Sequence, residues 1–161
     1  MTVTDLKSRG EPTAETTRLA KLIVGKLKIL ELLVQLAQRQ LSLVEEGEIG
    51  DLLKLLAAKQ TVLGQLQTLE RQLDPFRSED PEERRWATPE HRRECQQHAR
   101  RCDELVAEAM RLEKRSEAQL IRRRDAAAAV LQGVSAAVDV QSAYAGPPTA
   151  AGLPLHLHCE G

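Results

Sequence analysis

The sequence predicts an all-α protein in which an elongated antiparallel helical hairpin is followed by a long third helix, a coiled-coil-like three-helix arrangement. Apolar residues recur at steps of three and four in two stretches, residues 19–44 and 52–73, which is the spacing of one helix face. Aromatic residues make up only 2% of the 161 residues, and the apolar mass is leucine, alanine and valine. That composition is typical of helix bundles and disfavours a sheet.

The predicted elements form a single helical domain over residues 13–145. A flexible N-terminus over residues 1–12 precedes this domain, and a disordered tail over residues 146–161 follows it from the Gly-Pro-Pro run onward. We expect helices over about 13–46, 49–74 and 89–144, with a short helical turn over about 81–86.

The hairpin is predicted from two apolar stripes that meet at the polar joint Glu45–Asp51. One row of apolar residues before the joint follows a single helix face: Leu19, Ile23, Leu27, Leu30, Val34, Ala37, Leu41 and Val44. After the joint, leucines repeat this rhythm as far as Leu73. Because a short loop between two long helices favours antiparallel neighbours, we expect the two stripes to face each other.

The residues at the ends of the hairpin helices suit those positions. Thr13 or Thr16 can cap the start of the first helix, and Gly47 can end it in the left-handed conformation. The second helix begins at Glu48 or at Asp51, and the sequence leaves both starts open.

Prolines and capping residues predict the connector between the second and third helices. The second helix is expected to end before Pro75, because proline cannot continue it. Asp80 and Thr88 each precede a proline and are the predicted N-caps of the short turn and of the third helix. Phe76 and Trp86 flank the connector, and we expect them to pin it to the hairpin.

The third helix carries a heptad-like seam in which many residues are small or polar. The seam residues are Cys95, Cys102, Leu105 or Val106, Ala109, Leu112, Ser116, Leu120, Ala127, Val130, Val134 and Val138. The other faces are densely charged as far as Asp125, whereas residues 126–140 contain a single charge. The apolar segment Val130–Tyr144 is therefore either buried by the hairpin or exposed for a partner.

Four residues on one face of the third helix are the candidates for a metal site: His91, Cys95, His98 and Cys102. Each His/Cys pair at positions i and i+4 can hold two corners of a zinc site, but the outer two residues are about 16 Å apart along the helix axis. A complete site needs further ligands, such as His156, His158 and Cys159 in the tail. We instead predict buried cysteines, solvated histidines and no bound metal or other cofactor.

Catalytic motifs are absent from the sequence. There is no Gly-rich phosphate loop, no HExxH and no GxSxG. The cysteines are predicted on the body of a helix, whereas a helix N-terminus is the position that favours a thiolate. We therefore expect a protein that is not an enzyme.

Charge and apolar patterning exclude other classes. The formal net charge is −1, and acids nearly balance the arginines, including the run Arg122–Arg124, which disfavours nucleic acid as a partner and predicts a solvated helix face. The N-terminus lacks a signal-peptide core, and the most apolar run is too short to span a bilayer. With three cysteines and no CxxC, we expect a cytoplasmic, soluble protein without membrane insertion.

The stretch from Leu43 to Leu63 resembles the hairpin of FlgN-type flagellar export chaperones, in which an acidic-Gly-Asp turn is followed by a leucine pair, a lysine and further leucines. The residues that fall on this pattern are Gly47, Leu52, Leu55, Leu56, Lys59 and Leu63. The chain departs from it at Glu48, where the family tends to have aspartate, and at the second glycine, Gly50. In layout the resemblance covers residues 18–144.

The resemblance implies a small cytoplasmic helical chaperone of bacteria. Such chaperones bind the C-terminal helical segments of hook–filament junction proteins, prevent their premature assembly and degradation, and deliver them to the type III flagellar export gate. Cargo binding by the C-terminal helix of the family transfers here to Val130, Leu131, Val134, Val138 and Tyr144.

Two other hypotheses follow from the same residues. The chain can be a structural coiled-coil scaffold without cargo that self-associates, for example as a homodimer, through its C-terminal apolar segment. It can also be a metal-responsive or redox regulator built on the His/Cys face of the third helix.

Overall fold

The structure, a computed structural model, describes residues 14–146 of the chain. Its three α-helices are α1 (Ala14–Glu46), α2 (Ile49–Arg77) and α3 (Pro89–Ala145), and a 3-10 helix at Pro81–Glu83 lies between α2 and α3. The described residues contain no strand, which confirms the predicted all-α class with a long third helix.

Several sequence predictions concern residues 1–13 and 147–161, which lie outside the described residues. These are the flexible N-terminus, the tail, the cap Thr13 and the tail residues His156, His158 and Cys159.

A tight turn closes the hairpin between α1 and α2. Gly47 has a φ of 77°, the left-handed conformation predicted for it. The N–H of Glu48 donates to the carbonyl of Leu43 at 3.0 Å, and the N–H of Gly47 donates to the carbonyl of Val44 at 3.3 Å. These two hydrogen bonds are those of a Schellman motif. The same motif therefore ends α1 and reverses the direction of the chain.

α2 begins at Ile49 with Glu48 as its N-cap, so of the two starts that the sequence left open, Glu48 and Asp51, the structure has the one at Glu48. The side chain of its N-cap, Glu48, makes no cap hydrogen bond within the described structure, but the Glu48 carbonyl accepts from the N–H of Leu52 at 3.0 Å. Asp51 lies in the first turn, where its negative charge suits the helix dipole.

Three apolar clusters hold the hairpin from its turn to its open end. The buried members are Leu43, Val44 and Leu52 near the turn; Leu30, Leu33, Val34 and Val62 in the middle; and Leu19, Leu73 and Phe76 at the open end. The end of α1 thus meets the start of α2, and the start of α1 meets the end of α2. The two helices are antiparallel, as their stripes predicted.

The prediction that α2 ends before Pro75 is wrong, because the helix includes Pro75 and continues for two more residues. A proline in the last turn removes one backbone hydrogen bond, and tertiary contacts outweigh that loss. The ring of Phe76 is buried in the cluster at the open end. The Ser78 hydroxyl donates to the Pro75 carbonyl at 3.0 Å, and the Arg84 guanidinium donates to the Phe76 carbonyl at 2.5 Å.

The two predicted caps of the connector are confirmed. A carboxylate oxygen of Asp80 accepts from the N–H of Glu82 at 3.0 Å, and the hydroxyl of Thr88 accepts from the N–H of His91 at 3.1 Å. Each bond satisfies an N–H that has no partner within its own helix.

The helical turn is shorter than predicted, since it ends at Glu83 and not near Trp86. Arg84 is extended, with φ −71° and ψ 134°, and the chain leaves the turn there. The indole of Trp86 packs on the cluster that contains Phe76. Trp86 therefore pins the connector to the hairpin, as expected, whereas Phe76 lies in α2 and belongs to the cluster on which Trp86 packs.

Thr16 is not the cap of α1, because α1 begins at Ala14. Its side chain is buried, and its hydroxyl donates to the carbonyl of Arg85 at 2.8 Å. The threonine therefore ties the connector to the first turn of α1, a bond between residues far apart in the sequence that no local pattern predicts.

The first part of α3 packs along the hairpin. Its side chains Cys102 and Leu105 complete the middle cluster, and Cys95 and Ser116 are also buried. Leu105 is 2% exposed and Val106 is 37% exposed, which settles the alternative between them.

One residue from each helix forms a polar group beside the middle cluster. Lys59 of α2 donates to the side-chain carbonyl of Gln40 of α1 at 2.9 Å and forms an ion pair with Glu113 of α3. The Gln40 amide also donates to Glu113 at 3.4 Å. Partial burial lowers the pKa of the Lys59 ammonium, because desolvation disfavours its charged form.

The chain divides into two compact units, one ending at Leu120 and the other beginning at Ile121. The first unit contains the hairpin, the connector and the buried part of α3, and the second contains α3 from Ile121 onward. Across residues 14–146, no helix combines the length and the apolar character that a membrane crossing requires.

Replacing Gly47 with alanine should lower the free energy of unfolding by about 1 to 2 kcal/mol, because a Cβ disfavours the left-handed conformation. Gly64→Ala is the matched control. An added Cβ on Gly64 has no neighbour within 4 Å, so that variant should gain about 0.5 to 1 kcal/mol. Urea denaturation followed by circular dichroism measures both, and a stabilising effect of Gly47→Ala would contradict the turn.

Replacing Lys59 with methionine should cost about 1 to 2 kcal/mol, because Gln40 and Glu113 lose their shared partner. Lys54→Met, at an exposed position of the same helix, should change the free energy of unfolding by less than about 0.5 kcal/mol. A double-mutant cycle of Lys59→Met with Glu113→Gln measures the coupling, and a coupling energy near zero would exclude a stabilising ion pair.

Candidate protein-binding site

The exposed apolar residues of the second unit are the candidate site. Every described residue from Ile121 to Gly146 is exposed, including all five residues that the family resemblance assigned to cargo binding. Their exposed fractions are Val130 66%, Leu131 68%, Val134 56%, Val138 54% and Tyr144 89%. The sequence left open whether this segment is buried or exposed, and in the structure it is exposed.

Val140 belongs with these five residues, although the sequence analysis did not select it. It is 54% exposed and precedes Tyr144 by one helical turn. The spacing of four to Tyr144 was the available signal. We call the six residues the apolar arc: Val130, Leu131, Val134, Val138, Val140 and Tyr144.

The apolar arc lies on one side of α3. At 3.6 residues per turn its six residues cover about half of the helix circumference, along about 21 Å of axis. Asp125 and Asp139 are the acids of the second unit that the structure describes, and both lie on the opposite side of the helix. The arc is thus an amphipathic face whose apolar half meets solvent.

The sequence of the second unit forms a helix by local preference. The run Ala126–Ala129 has the highest intrinsic helix propensity, but Gly133 and the β-branched valines lower the average. A Cβ on Gly133 would meet no atom within 4 Å, so no close packing requires the glycine. Because no described side chain of this unit is buried, its helix depends mainly on backbone hydrogen bonds and intrinsic propensity.

A solvated apolar helix face can bind another apolar surface. It offers dispersion contacts and the release of hydrating water to another apolar surface, and it presents no nucleophile or acid–base pair. A second helix laid along the arc would bury side chains that the folded chain leaves in water.

The four candidate metal ligands differ in their burial and in their contacts within the first unit. Cys95 and Cys102 are buried in the first unit, and burial raises the pKa of both thiols, so they are protonated and poorly nucleophilic. The Cys102 thiol lies 3.9 Å from the Ile23 carbonyl, to which it donates. His91 stacks edge-on against Trp86, with ring centroids 5.6 Å apart.

His98 is half-buried on the same helix face. Within residues 14–146, no three residues among histidine, cysteine, aspartate and glutamate are placed to hold one metal ion. The described structure therefore does not assemble the site that the His/Cys spacing suggested.

A cleft of about 450 Å³ lies where the connector crosses the open end of the hairpin. Its polar lining residues already hold the connector together. Asp80 caps the 3-10 helix, Arg84 binds the Phe76 carbonyl, and Glu79 lies 3.7 Å from Arg84. The polar residues that line the cleft are thus engaged in hydrogen bonds and ion pairs that hold the connector.

A smaller apolar patch lies at the turn of the hairpin. Ile49, Leu53 and Leu56 share one face of α2 and are 54%, 62% and 37% exposed. This patch gives a second surface against which the binding role of the apolar arc can be tested.

No family model, curated protein sequence or solved structure matches this chain. The resemblance of residues 43–63 to FlgN-type chaperones therefore stays a prediction from the sequence.

Replacing Val134 with serine should change the free energy of unfolding by less than about 0.5 kcal/mol, because the side chain is exposed and the two residues have similar helix propensity. Leu105→Ala is the contrasting variant and should cost about 2 to 5 kcal/mol, since Leu105 is buried in the middle cluster. Urea denaturation compares them. A loss above about 1 kcal/mol for Val134→Ser would mean that the arc supports the fold.

Proposed function

We propose that this chain is a cytoplasmic flagellar export chaperone of the FlgN type. It binds the C-terminal helical segments of hook–filament junction proteins, prevents their premature assembly and delivers them to the type III export gate. The apolar arc is the observation that carries this proposal, because the chain exposes apolar residues of its third helix where the resemblance places cargo binding.

The buried and exposed parts of α3 support the proposed division of labour. The first unit has its own apolar clusters, and none of them includes a residue of the arc. The arc is left to bind an amphipathic cargo helix, which would cover its valines in the manner of a helix in a groove. Cargo shielded in this way is kept from assembly and from proteases.

The described part of the second unit has no buried side chains and contains residues of low helix propensity, and this weakly stabilised helix suits reversible binding. A helix held by local preference pays part of its ordering cost when cargo binds, which lowers the affinity and favours release at the export gate. A rigid, preformed groove would bind the same area more tightly.

The double variant Val134→Asp and Val138→Asp should weaken binding of a junction-protein C-terminal segment by about a hundredfold or more, because each carboxylate is driven into an apolar contact. Gln132→Asp with Ala136→Asp is the matched control, since it adds the same charge on the opposite side of α3. Titration calorimetry measures binding, and circular dichroism checks that α1 and α2 stay folded.

Leu53→Asp, in the patch at the hairpin turn, should leave this binding unchanged. Full capture of the junction segment by the valine double variant would contradict the proposal, as would a loss confined to Leu53→Asp. Size-exclusion chromatography with light scattering separates the chaperone from the scaffold alternative. A scaffold would form a stable oligomer through the arc without cargo.

A further inference from the structure

The apolar arc contains two ridges with a lower row between them, because residues four apart form rows along a helix surface. The ridges are formed by Val130, Val134 and Val138 on one side and by Val140 and Tyr144 on the other. The row between them, which we call the shallow row, is Gly133, Ala137 and Gln141. It is lower than the ridges because its first two residues have no side-chain atoms beyond Cβ. All three of its residues are exposed, so a furrow about 12 Å long is open along the arc.

The chain carries an apolar segment a short distance beyond the arc. In Leu153–Leu157, which we call the leucine segment, leucine occupies every second position, with Pro154 and His156 between the leucines. Alternate residues of an extended chain lie on the same side, so this pattern gives an extended segment one apolar side. Pro154 has no N–H, so one fewer backbone donor loses water when that side is covered. The leucine segment lies outside the described residues, and the prediction of a disordered tail took no account of its alternation.

The leucine segment and the shallow row have the same spacing. Alternate side chains of an extended chain are about 6.6 Å apart, and residues four apart in a helix are about 6 Å apart along the axis. The leucine segment would extend for about 13 Å, and the shallow row extends for about 12 Å. Each of the three leucines can therefore lie over one residue of the shallow row, with the ridges on either side.

The end of α3 allows the chain to return along the arc. Gly146, the last described residue, has a φ of 59°, the left-handed conformation that ends a helix and turns the chain away from its axis. Seven residues of chain lead from Gly146 to Leu153, which can span up to about 23 Å. Gln141 lies only about 7.5 Å back along the axis from Gly146. The connection is therefore long enough to reverse direction and place Leu153 over Gln141.

We propose that the leucine segment of the same chain covers the shallow row when no partner is bound, and that it runs antiparallel to α3. The paired residues are Leu153 with Gln141, Leu155 with Ala137, and Leu157 with Gly133. This deepens the proposed function, on which its regulatory consequence rests: the chaperone without cargo keeps its binding face covered, and a cargo helix has to displace the leucine segment.

The short connection favours the segment of the same chain over that of a second copy. A flexible tether of this length holds its end at an effective concentration in the millimolar range, well above the concentration of the protein. Three leucines bury less apolar surface than a cargo helix laid along the whole arc. The covering contact therefore shields the arc from non-specific association, and a larger apolar helix can still replace it.

A nitroxide label on Cys159 tests the contact in the full chain. Cys95 and Cys102 are buried, which directs labelling to Cys159. In the proposed arrangement Cys159 lies about 7 Å beyond Leu157 and close to Val130, so the methyl signals of Val130 should be broadened more than those of Val140. A tail that does not bind the arc would give the opposite order, because Val140 is nearer to the point of attachment. That order would overturn the proposal.

Leu155→Ser with Leu157→Ser should abolish the order expected of the wild type. His156→Ser with His158→Ser is the matched control, because it changes two residues on the other side of the extended segment, and it should keep that order. An order that survives the leucine substitutions would contradict the pairing. Broadening passed from a nitroxide-labelled chain to an isotope-labelled chain without nitroxide would also contradict it, because the occupant would then belong to a second copy.

Titration calorimetry with a synthetic amphipathic helical peptide that has one leucine face measures the competition. The leucine double variant should bind this peptide about tenfold more tightly than the wild type, because its arc is no longer covered. The histidine double variant should bind the peptide as the wild type does. Equal affinity of the leucine variant and the wild type would mean that the segment does not occupy the arc.

A junction-protein C-terminal segment, titrated in parallel, distinguishes this inference from the proposed function. If the junction segment binds no variant while the label and the synthetic peptide give the expected results, the inference holds and the proposed function fails. If the junction segment binds the wild type and the leucine variant equally, and the label gives the order of an unbound tail, the proposed function holds and the inference fails.

Discussion

The apolar contact among Leu30, Val62 and Leu105 joins α1, α2 and α3, and the rest of the first unit depends on it. All three side chains are buried in this cluster. The turn at Gly47 sets which leucines of α1 and α2 meet. The charged group around Lys59 then limits how α3 can slide, because a shift of one turn would bury an unpaired charge.

The same helix that completes this core also bears a surface without a partner. α3 is 57 residues long, and its buried residues end at Ser116. Beyond Ile121 the chain keeps a helical sequence and an apolar face, yet every described side chain is exposed. A selection for stability alone would replace those valines with polar residues of better helix propensity. The proposed chaperone role accounts for their presence, because it assigns cargo binding to the arc.

In the proposed chaperone, cargo binding and folding are assigned to different residues of one helix. The core tolerates few changes, because each buried side chain fills space between helices. The arc can vary with its partner at little cost to the fold.

The sequence by itself determined the helices, the hairpin and most of their ends, since periodicity, Gly47, Asp80 and Thr88 act through bonds within a few residues. Only the tertiary structure decided that α2 passes through Pro75 and that Thr16 binds Arg85, because both depend on contacts between distant segments. The exposure of the apolar arc was likewise open in the sequence. An apolar helix face has the same periodicity whether it is buried or solvated, and only the position of the other helices distinguishes the two.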